Sequence, residues 1–325
     1  MKKTAVTDAA ANSCRAGKAV LCIRGDDMKV LSFGSLNVDY VYKVDHIAAK
    51  GETLSSLERN IFCGGKGLNQ SVALARAGAE TWHAGNIGEH DTFLLDMLTS
   101  AGVNVSCVKK LSEIPSGHTI IQNSSDGDNC IILFGGANQE VTKTQAEETI
   151  AKFEAGDYIV LQNEINNLHW IMECAHKKGM RIVLNPSPMN EKIFTLPLQY
   201  VNWFLLNEIE AAQLSGTDSE EPEVLMRRVA ERFPEAGIVL TLGSKGSVCR
   251  YRGELVFQDA VQVRAVDTTA AGDTFTGYFI AGIIAGQDIK TCMAKASKAA
   301  AVTVTRNGAA PSIPTMREVD QAVLV

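Results

Sequence analysis

The sequence predicts an α/β fold: a doubly wound, mostly parallel central sheet with helices on both faces and a small β-sheet lid. Two observations carry this. From Asp157 onward, short β-branched runs alternate with amphipathic helical patterns. Strand, helix and strand at that spacing require right-handed crossovers in a parallel sheet covered on both sides. Earlier, within about residues 37–64 and 114–136, short alternating runs stand with few helices between them, as in a separate small sheet.

Residues 1–27 open with Lys2 and Lys3 but carry no apolar core of a signal peptide behind them, only Ala-rich polar sequence and a short patch at 20–23. They read as a disordered extension or as a mis-called start, and Met28-Lys29-Val30-Leu31-Ser32-Phe33-Gly34 as the first strand of a domain over 28–325. Residues 38–44, 117–122 and 130–134 supply the lid strands. Residues 158–161 form a buried strand, and Asn166 is placed to cap a helix whose Leu168, Ile171, Met172 and Ala175 share one face. Gly179 ends that helix, and strands follow at 181–184, 203–206 and 238–242. Val261, Val263 and Ala265 continue the strand pattern, and Phe275, Phe279, Gly282 and Ile283 the helical one.

Composition excludes several classes. Of 325 residues 46% are apolar, ample for a core, and the net charge of -6 argues against a nucleic-acid partner. The longest apolar run, near 279–285, is far too short to cross a bilayer, so no membrane partner is expected. The eight cysteines are scattered, without a C-x-x-C pair or a histidine at zinc-ligand spacing. They read as reduced thiols of a cytoplasmic protein.

Two motifs carry chemistry. In Asp267-Thr268-Thr269-Ala270-Ala271-Gly272-Asp273-Thr274-Phe275, small residues let bare backbone N–H groups converge at a helix N-terminus, a good anion site. A carboxylate there repels phosphate, but it makes sense as a general base that takes a hydroxyl proton while the amides hold the transferring phosphoryl. An ordinary helix-capping Asp after a Gly-rich turn explains the same residues equally well. The second motif, Gly64-Gly65-Lys66-Gly67-Leu68-Asn69-Gln70, opens a helix but is not a P-loop, since Gly67 stands where Ser or Thr is required. Lys66 and Asn69 offer donors to a polyhydroxylated ligand; a tight lid-to-helix turn is the plainer reading.

Together the two motifs resemble the paired signatures of the ribokinase family of carbohydrate kinases, over roughly Met28 to the C-terminus. Ser35-Leu36-Asn37-Val38-Asp39 is similar to the family's first sugar-binding strand. Asn185-Pro186-Ser187-Pro188, Leu206-Asn207-Glu208-Ile209-Glu210 and Thr241-Leu242-Gly243-Ser244-Lys245-Gly246 are similar to its nucleotide-side segments. Within the family the set is most similar to the ribose-specific members.

The resemblance implies a ribokinase-like fold and ATP-dependent phosphorylation of the primary hydroxyl of a pentose, D-ribose first. Asp273 would be the base, with Gly272 and Ala271 beside it. Asn37, Asp39, Gly65, Lys66, Asn69, Glu164 and Asp273 would hold the sugar. Asn207 and Glu210 would organise Mg²⁺ and the ATP phosphates, with Thr241, Leu242, Gly243, Ser244, Lys245, Gly246 and Gly272 along the nucleotide. Val304-Thr305-Arg306-Asn307-Gly308-Ala309-Ala310-Pro311-Ser312 is similar to the family's monovalent-cation loop. It implies K⁺ held by Asp267, Thr269, Thr303, Arg306, Gly308 and Ser312, mostly through backbone oxygens. One departure stands out: Ser297 lies where such sequences often carry a histidine beside the adenine. Deoxyribose, fructose or a nucleoside are the alternative acceptors, a non-catalytic sugar sensor the alternative outside enzymes, and the lid edges permit a homodimer.

Overall fold

The computed structural model describes residues 28–126 and 128–323; the expected disordered extension at 1–27 lies outside them. Strand β1 (Lys29–Phe33) leads to β2 (Asn37–Val44), β3 (Glu58–Gly64) and helix α1 (Lys66–Arg76). There follow β4 (Glu80–Gly88), α2 (Phe93–Ser100), β5 (Asn104–Leu111), β6 (Gly117–Ser124) and β7 (Asn129–Phe134). Regular alternation then sets in with α3 (Lys143–Ile150), β8 (Tyr158–Gln162), α4 (Leu168–Lys178), β9 (Arg181–Asn185), β10 (Val201–Asn207) and α5 (Glu208–Ser215). The chain closes with α6 (Pro222–Arg232), β11 (Gly237–Thr241), β12 (Ser247–Tyr251), β13 (Glu254–Gln258), α7 (Ala271–Ile284), α8 (Ile289–Val304) and α9 (Met316–Gln321).

Nine strands form the central sheet in the order β13-β12-β11-β10-β9-β8-β1-β4-β5. All neighbours are parallel except β11 with β12 and β12 with β13. Burial explains why these strands read as unbroken apolar runs. In β8, Tyr158 and Val160 join the core under α1, α7 and α8, whereas Ile159 and Leu161 join the core under α3 to α6. A strand covered on both faces has no polar side to alternate with.

The other four strands form a separate sheet in the order β3-β2-β6-β7. Here one face is open. Asn37, Asp39, Phe62, Thr119, Ile131 and Leu133 look into a cleft, and Ile61, Ile120, Ile132 and Phe134 alternate with them on the exposed outer face.

Two local expectations are corrected. Asn166 does not cap α4: its side chain exchanges hydrogen bonds of 2.9 and 3.1 Å with the Val141 backbone, and Asn167, left-handed at φ 56°, precedes the helix. Residues 261–265 form no strand. They have no ladder partner after β13, and the half-buried Val261 and Val263 line a cavity instead of the core.

Helices α1 and α7 approach closely through Gly277. A Cβ there would lie 2.4 Å from Ala73 Cβ and 2.8 Å from the Leu74 nitrogen. Gly277→Val should therefore cost about 1–3 kcal/mol, as overpacking does. A urea midpoint at the wild-type value would show that the helices part freely.

Candidate active site

The site forms at the C-terminal ends of the central strands, where α1 and α7 begin. Ala270 takes a left-handed conformation (φ 62°) ahead of α7 and offers no side-chain cap. The N–H groups of Gly272 and Asp273 fall in the first turn, where no intrahelical carbonyl precedes them. A Cβ on Gly272 would meet nothing within 4 Å, so this turn faces open space.

Three cavities, of about 1120, 340 and 220 Å³, converge on this turn, and Thr268 lines all of them. The largest lies under the lid and is lined by Asn37, Asp39, Gly65, Lys66, Asn69, Glu164 and Asp273, every residue that the resemblance implied for the sugar. The smallest is lined by Asn207, Glu210, Ala271, Gly272 and Asp273. The third holds Thr241, Gly243, Ser244, Gly246, Gly272 and Ser297 between half-buried apolar walls. Leu242 and Lys245 are not on that wall: Leu242 packs into the α3–α6 core and the Lys245 side chain is exposed.

Asp273 is buried and held by α1. Asn69 Nδ2 donates to its Oδ2 at 3.0 Å, and Gln70 Nε2 donates to its Oδ1 at 2.9 Å. Asn69 Oδ1 is buried without a protein partner beside the same cavity. Glu164 accepts from the Ser35 hydroxyl and, at 2.9 Å, from the Lys66 N–H. Asn138 Nδ2 donates to Asn37 Oδ1 at 2.7 Å, which turns the Asn37 carboxamide. Thr119 donates to Asp39 Oδ1 at 2.6 Å, and Gly64 is required beneath, since a Cβ there would sit 1.9 Å from Asp39 Oδ2.

Burial sets the electrostatics. It pushes Asp39 up to about 6, against the Thr119 hydrogen bond and with help from the Glu164 charge. It raises Glu164 and Glu210 as well, despite the attraction of Lys66. Burial works against the Lys66 ammonium, yet Asp273, Glu164 and Glu210 together hold it above its usual value. The result is a small acidic basin with one cation at its centre.

On the cation-loop side the chain brings Asp267 against residues 304–308. Val304 O accepts from the N–H groups of Val266 (2.7 Å) and Asp267 (3.2 Å), and Asp267 accepts from Thr269 N (2.9 Å) and Gly308 N (3.0 Å). Partial burial tends to raise Asp267, but these bonds hold it below the usual carboxylate range. Thr303 and Ser312 are buried, with hydroxyls spent on the carbonyls of Ala299 and Ala309. Arg306 turns its guanidinium to Glu318 at 2.8 Å, so only its backbone faces the loop.

Sequence reading passed over Thr119, Gln70 and Thr268 as site residues. Thr119 gives no local signal, because it reaches Asp39 only through the β2–β6 pairing. Gln70 lay inside a quoted motif and could have been found by asking what holds the Asp273 carboxylate.

A model of the pfkB family carbohydrate kinases matches residues 27–316. The chain belongs to that family. A ribokinase from Staphylococcus aureus is 34% identical over 302 residues, covering 90% of this chain and 99% of that protein. Among solved structures, a ribokinase from Cryptococcus neoformans in complex with ADP is 30% identical with a TM-score of 0.80, covering 91% of this chain and 99% of its own. A ribokinase from Arabidopsis thaliana complexed with ribose and ATP is 28% identical with a TM-score of 0.81, covering 90% and 98%. The expected family and fold are thereby met.

For a carbohydrate kinase the Asp39 environment has a measurable consequence. Above about 6 its carboxylate accepts from hydroxyls; as pH falls through that value it takes up a proton and loses an acceptor. The KM for the sugar should rise over that interval while the KM for ATP stays level. Asp39→Asn should raise the sugar KM at all pH values, by about 1–3 kcal/mol of binding, and abolish the step. An Asp39→Asn enzyme that keeps the step would reassign it.

Proposed function

We propose that this chain transfers the γ-phosphoryl of ATP to the primary hydroxyl of D-ribose, giving D-ribose 5-phosphate and ADP. The observation that carries the reading is Asp273, which lines both the sugar-side and the phosphate-side cavities, in the same helix turn whose Ala271 and Gly272 line the nucleotide-side one. The sugar lies under the lid, its vicinal hydroxyls paired by Asp39, Asn37, Asn69 and Glu164. Asp273 takes the proton of the attacking hydroxyl, and the first-turn amides of α7 stabilise charge on the phosphoryl oxygens. Lys66, between the two cavities, adds its ammonium. The lid excludes water that would otherwise hydrolyse ATP.

Two ions belong to the reading. The small cavity offers oxygen and amide groups from Asn207, Glu210 and Asn185, which suit a hydrated Mg²⁺ accompanying the phosphates. Such an ion would neutralise phosphate charge. K⁺ is assigned to the loop formed by Asp267, Thr269, Thr303, Arg306, Gly308 and Ser312, where Asp267 supplies a carboxylate held below its usual range and the other oxygens would come mostly from the backbone. Its part would be to stiffen the turn that aims the α7 amides, a supporting role. The exposed outer face of the lid, with Ile61, Ile120, Ile132 and Phe134, supports a second copy of the chain as its cover. A cytoplasmic location fits the scattered cysteines, all free among the described residues.

Asp273→Asn keeps shape and loses the proton acceptor. Its turnover should fall by roughly two to four orders of magnitude with ribose binding retained. Near wild-type turnover would dismiss the base, and faster phosphorylation of fructose, deoxyribose or a nucleoside would dismiss the ribose pocket. For the cation, activity in K⁺ should exceed that in Na⁺ or Tris at matched ionic strength, chiefly through kcat. Equal rates in all three buffers would remove K⁺ and leave the Asp273 chemistry intact.

A further inference from the structure

Two glutamines at the centre of the molecule have no part in the chemistry above. Gln70 and Gln162 are both fully buried; Gln70 has its donor and its acceptor paired, as buried amides mostly do, whereas Gln162 pairs its NH₂ and its Oε1 finds no partner among the described residues. Gln70 Nε2 donates to Asp273 Oδ1 at 2.9 Å and to Asn185 Oδ1 at 3.2 Å. Gln70 Oε1 accepts from Gln162 Nε2 at 2.7 Å.

The direction of each amide is dictated by its neighbour. Asn185 Nδ2 donates to the Leu205 carbonyl of β10 at 3.0 Å, a group that can only accept, so Asn185 Oδ1 must face Gln70. Gln70 must then turn its NH₂ toward Asn185 and Asp273 and its oxygen toward Gln162. Gln162 answers with its own NH₂. A backbone carbonyl of the central sheet thus orients three side-chain amides, and the middle one ends on the carboxylate. The row also reaches the phosphate side, because Asn185 Nδ2 lies 3.4 Å from Glu210 Oε2.

We infer that Gln70, held in one orientation by Asn185 and Gln162, is the positioning residue of the general base. It holds Asp273 Oδ1 with a fixed donor on the side away from the cavity; Oδ2, which accepts from Asn69 on the wall of the sugar-side cavity, is the oxygen that takes the hydroxyl proton. The inference rests on Asp273 being the base. The charged groups facing Asp273 from the surrounding elements are Lys66 of α1, Glu164 beyond β8 and Glu210 of α5. None of these is altered by removing Gln70.

The test uses the full-length enzyme with ribose and ATP, comparing wild type, Gln70→Leu, Gln162→Leu and the double variant. A hydrogen bond to a charged group is at stake, so Gln70→Leu should lower kcat by about tenfold or more, with the ribose KM changed less than about threefold. The acid limb of its kcat–pH profile should move to higher pH, because a carboxylate stripped of a donor binds its proton more tightly. Gln162→Leu leaves the Gln70 oxygen unpaired and its amide held from one side only, so it should move the limb in the same direction with a smaller loss of kcat. The double variant should be no worse in kcat than Gln70→Leu alone, as expected of groups acting in one row. Should Gln70→Leu fail to fold, the limb shift of Gln162→Leu decides. Losses that multiply independently, or that track the melting temperature with the acid limb in place, would reduce both glutamines to packing and overturn the inference. An Asp273→Asn enzyme of near wild-type turnover would instead remove the base itself. An inactive Asp273→Asn beside a Gln70→Leu enzyme with wild-type kcat and pH limb would remove only the row.

Discussion

The architecture depends on a conflict at the start of α7. In the proposed reaction its first-turn amides attract a phosphoryl group, and a carboxylate in that same turn stands close enough to take a proton. Left alone, the carboxylate would occupy the amides or repel the phosphate. Both Asp273 oxygens are instead tied by the side chains of Asn69 and Gln70, which come from the other helix beginning at this point. The N-termini of α1 and α7 must therefore meet. Their meeting explains the small residues between them, Gly277 against Ala73; Gly67 serves a second close approach, of α1 to the turn after β1, where a Cβ would be 2.4 Å from the Ser35 nitrogen. Open α/β sheets place ligands at the carboxyl ends of their strands for a related reason, since only there do helix N-termini face the crevice.

The charges follow from the same geometry. Asp39, Glu164 and Glu210 are all raised by burial, and only one ammonium, that of Lys66, balances them and Asp273. Such a basin is expensive to build. It is tolerable because each carboxylate already has a donor on one oxygen: Thr119 on Asp39, Ser35 and the Lys66 N–H on Glu164, the Asn207 N–H on Glu210 at 3.0 Å. What remains unpaired, such as Asn69 Oδ1, faces the sugar side. In the proposed reaction, hydroxyls arriving there would complete pairs that the protein leaves open, and selectivity for a polyol would follow from the cost of leaving them unmade. The lid contributes half of this by period-two alternation, polar Asn37, Asp39 and Thr119 turned inward with Ile131 and Leu133, and apolar residues outward.

How much of this could be read from the chain depends on distance along it. Strands buried on both faces announced themselves as apolar runs, and the glycine-rich motifs announced backbone approaching a ligand or another helix. The end of α4 was legible for the same reason, since Gly179 supplies the left-handed residue (φ 82°) that the turn needs. Its start was not, because Asn166 and Asn167 are chemically equal candidates and both turn their side chains to the Val141 backbone instead of the helix. The 261–265 segment misled for a different reason: alternation marks one wetted and one covered face, and a cavity wall provides both without a neighbouring strand.

Side chains that act on other side chains were the least visible. Thr119 reaches Asp39 across a strand pairing, and Gln162 reaches Gln70 from the end of a strand that otherwise reads as apolar core. A motif shows which residues face a ligand because a ligand constrains backbone locally. The groups that orient those residues are constrained only in three dimensions. Gln162 makes the point most clearly: as the last residue of β8 it is fully buried, yet its polar head lies where the sheet meets the site. The apolar core beneath holds its stem, and Gln70 beside it uses its amide. The boundary between core and catalytic site therefore runs through this one side chain.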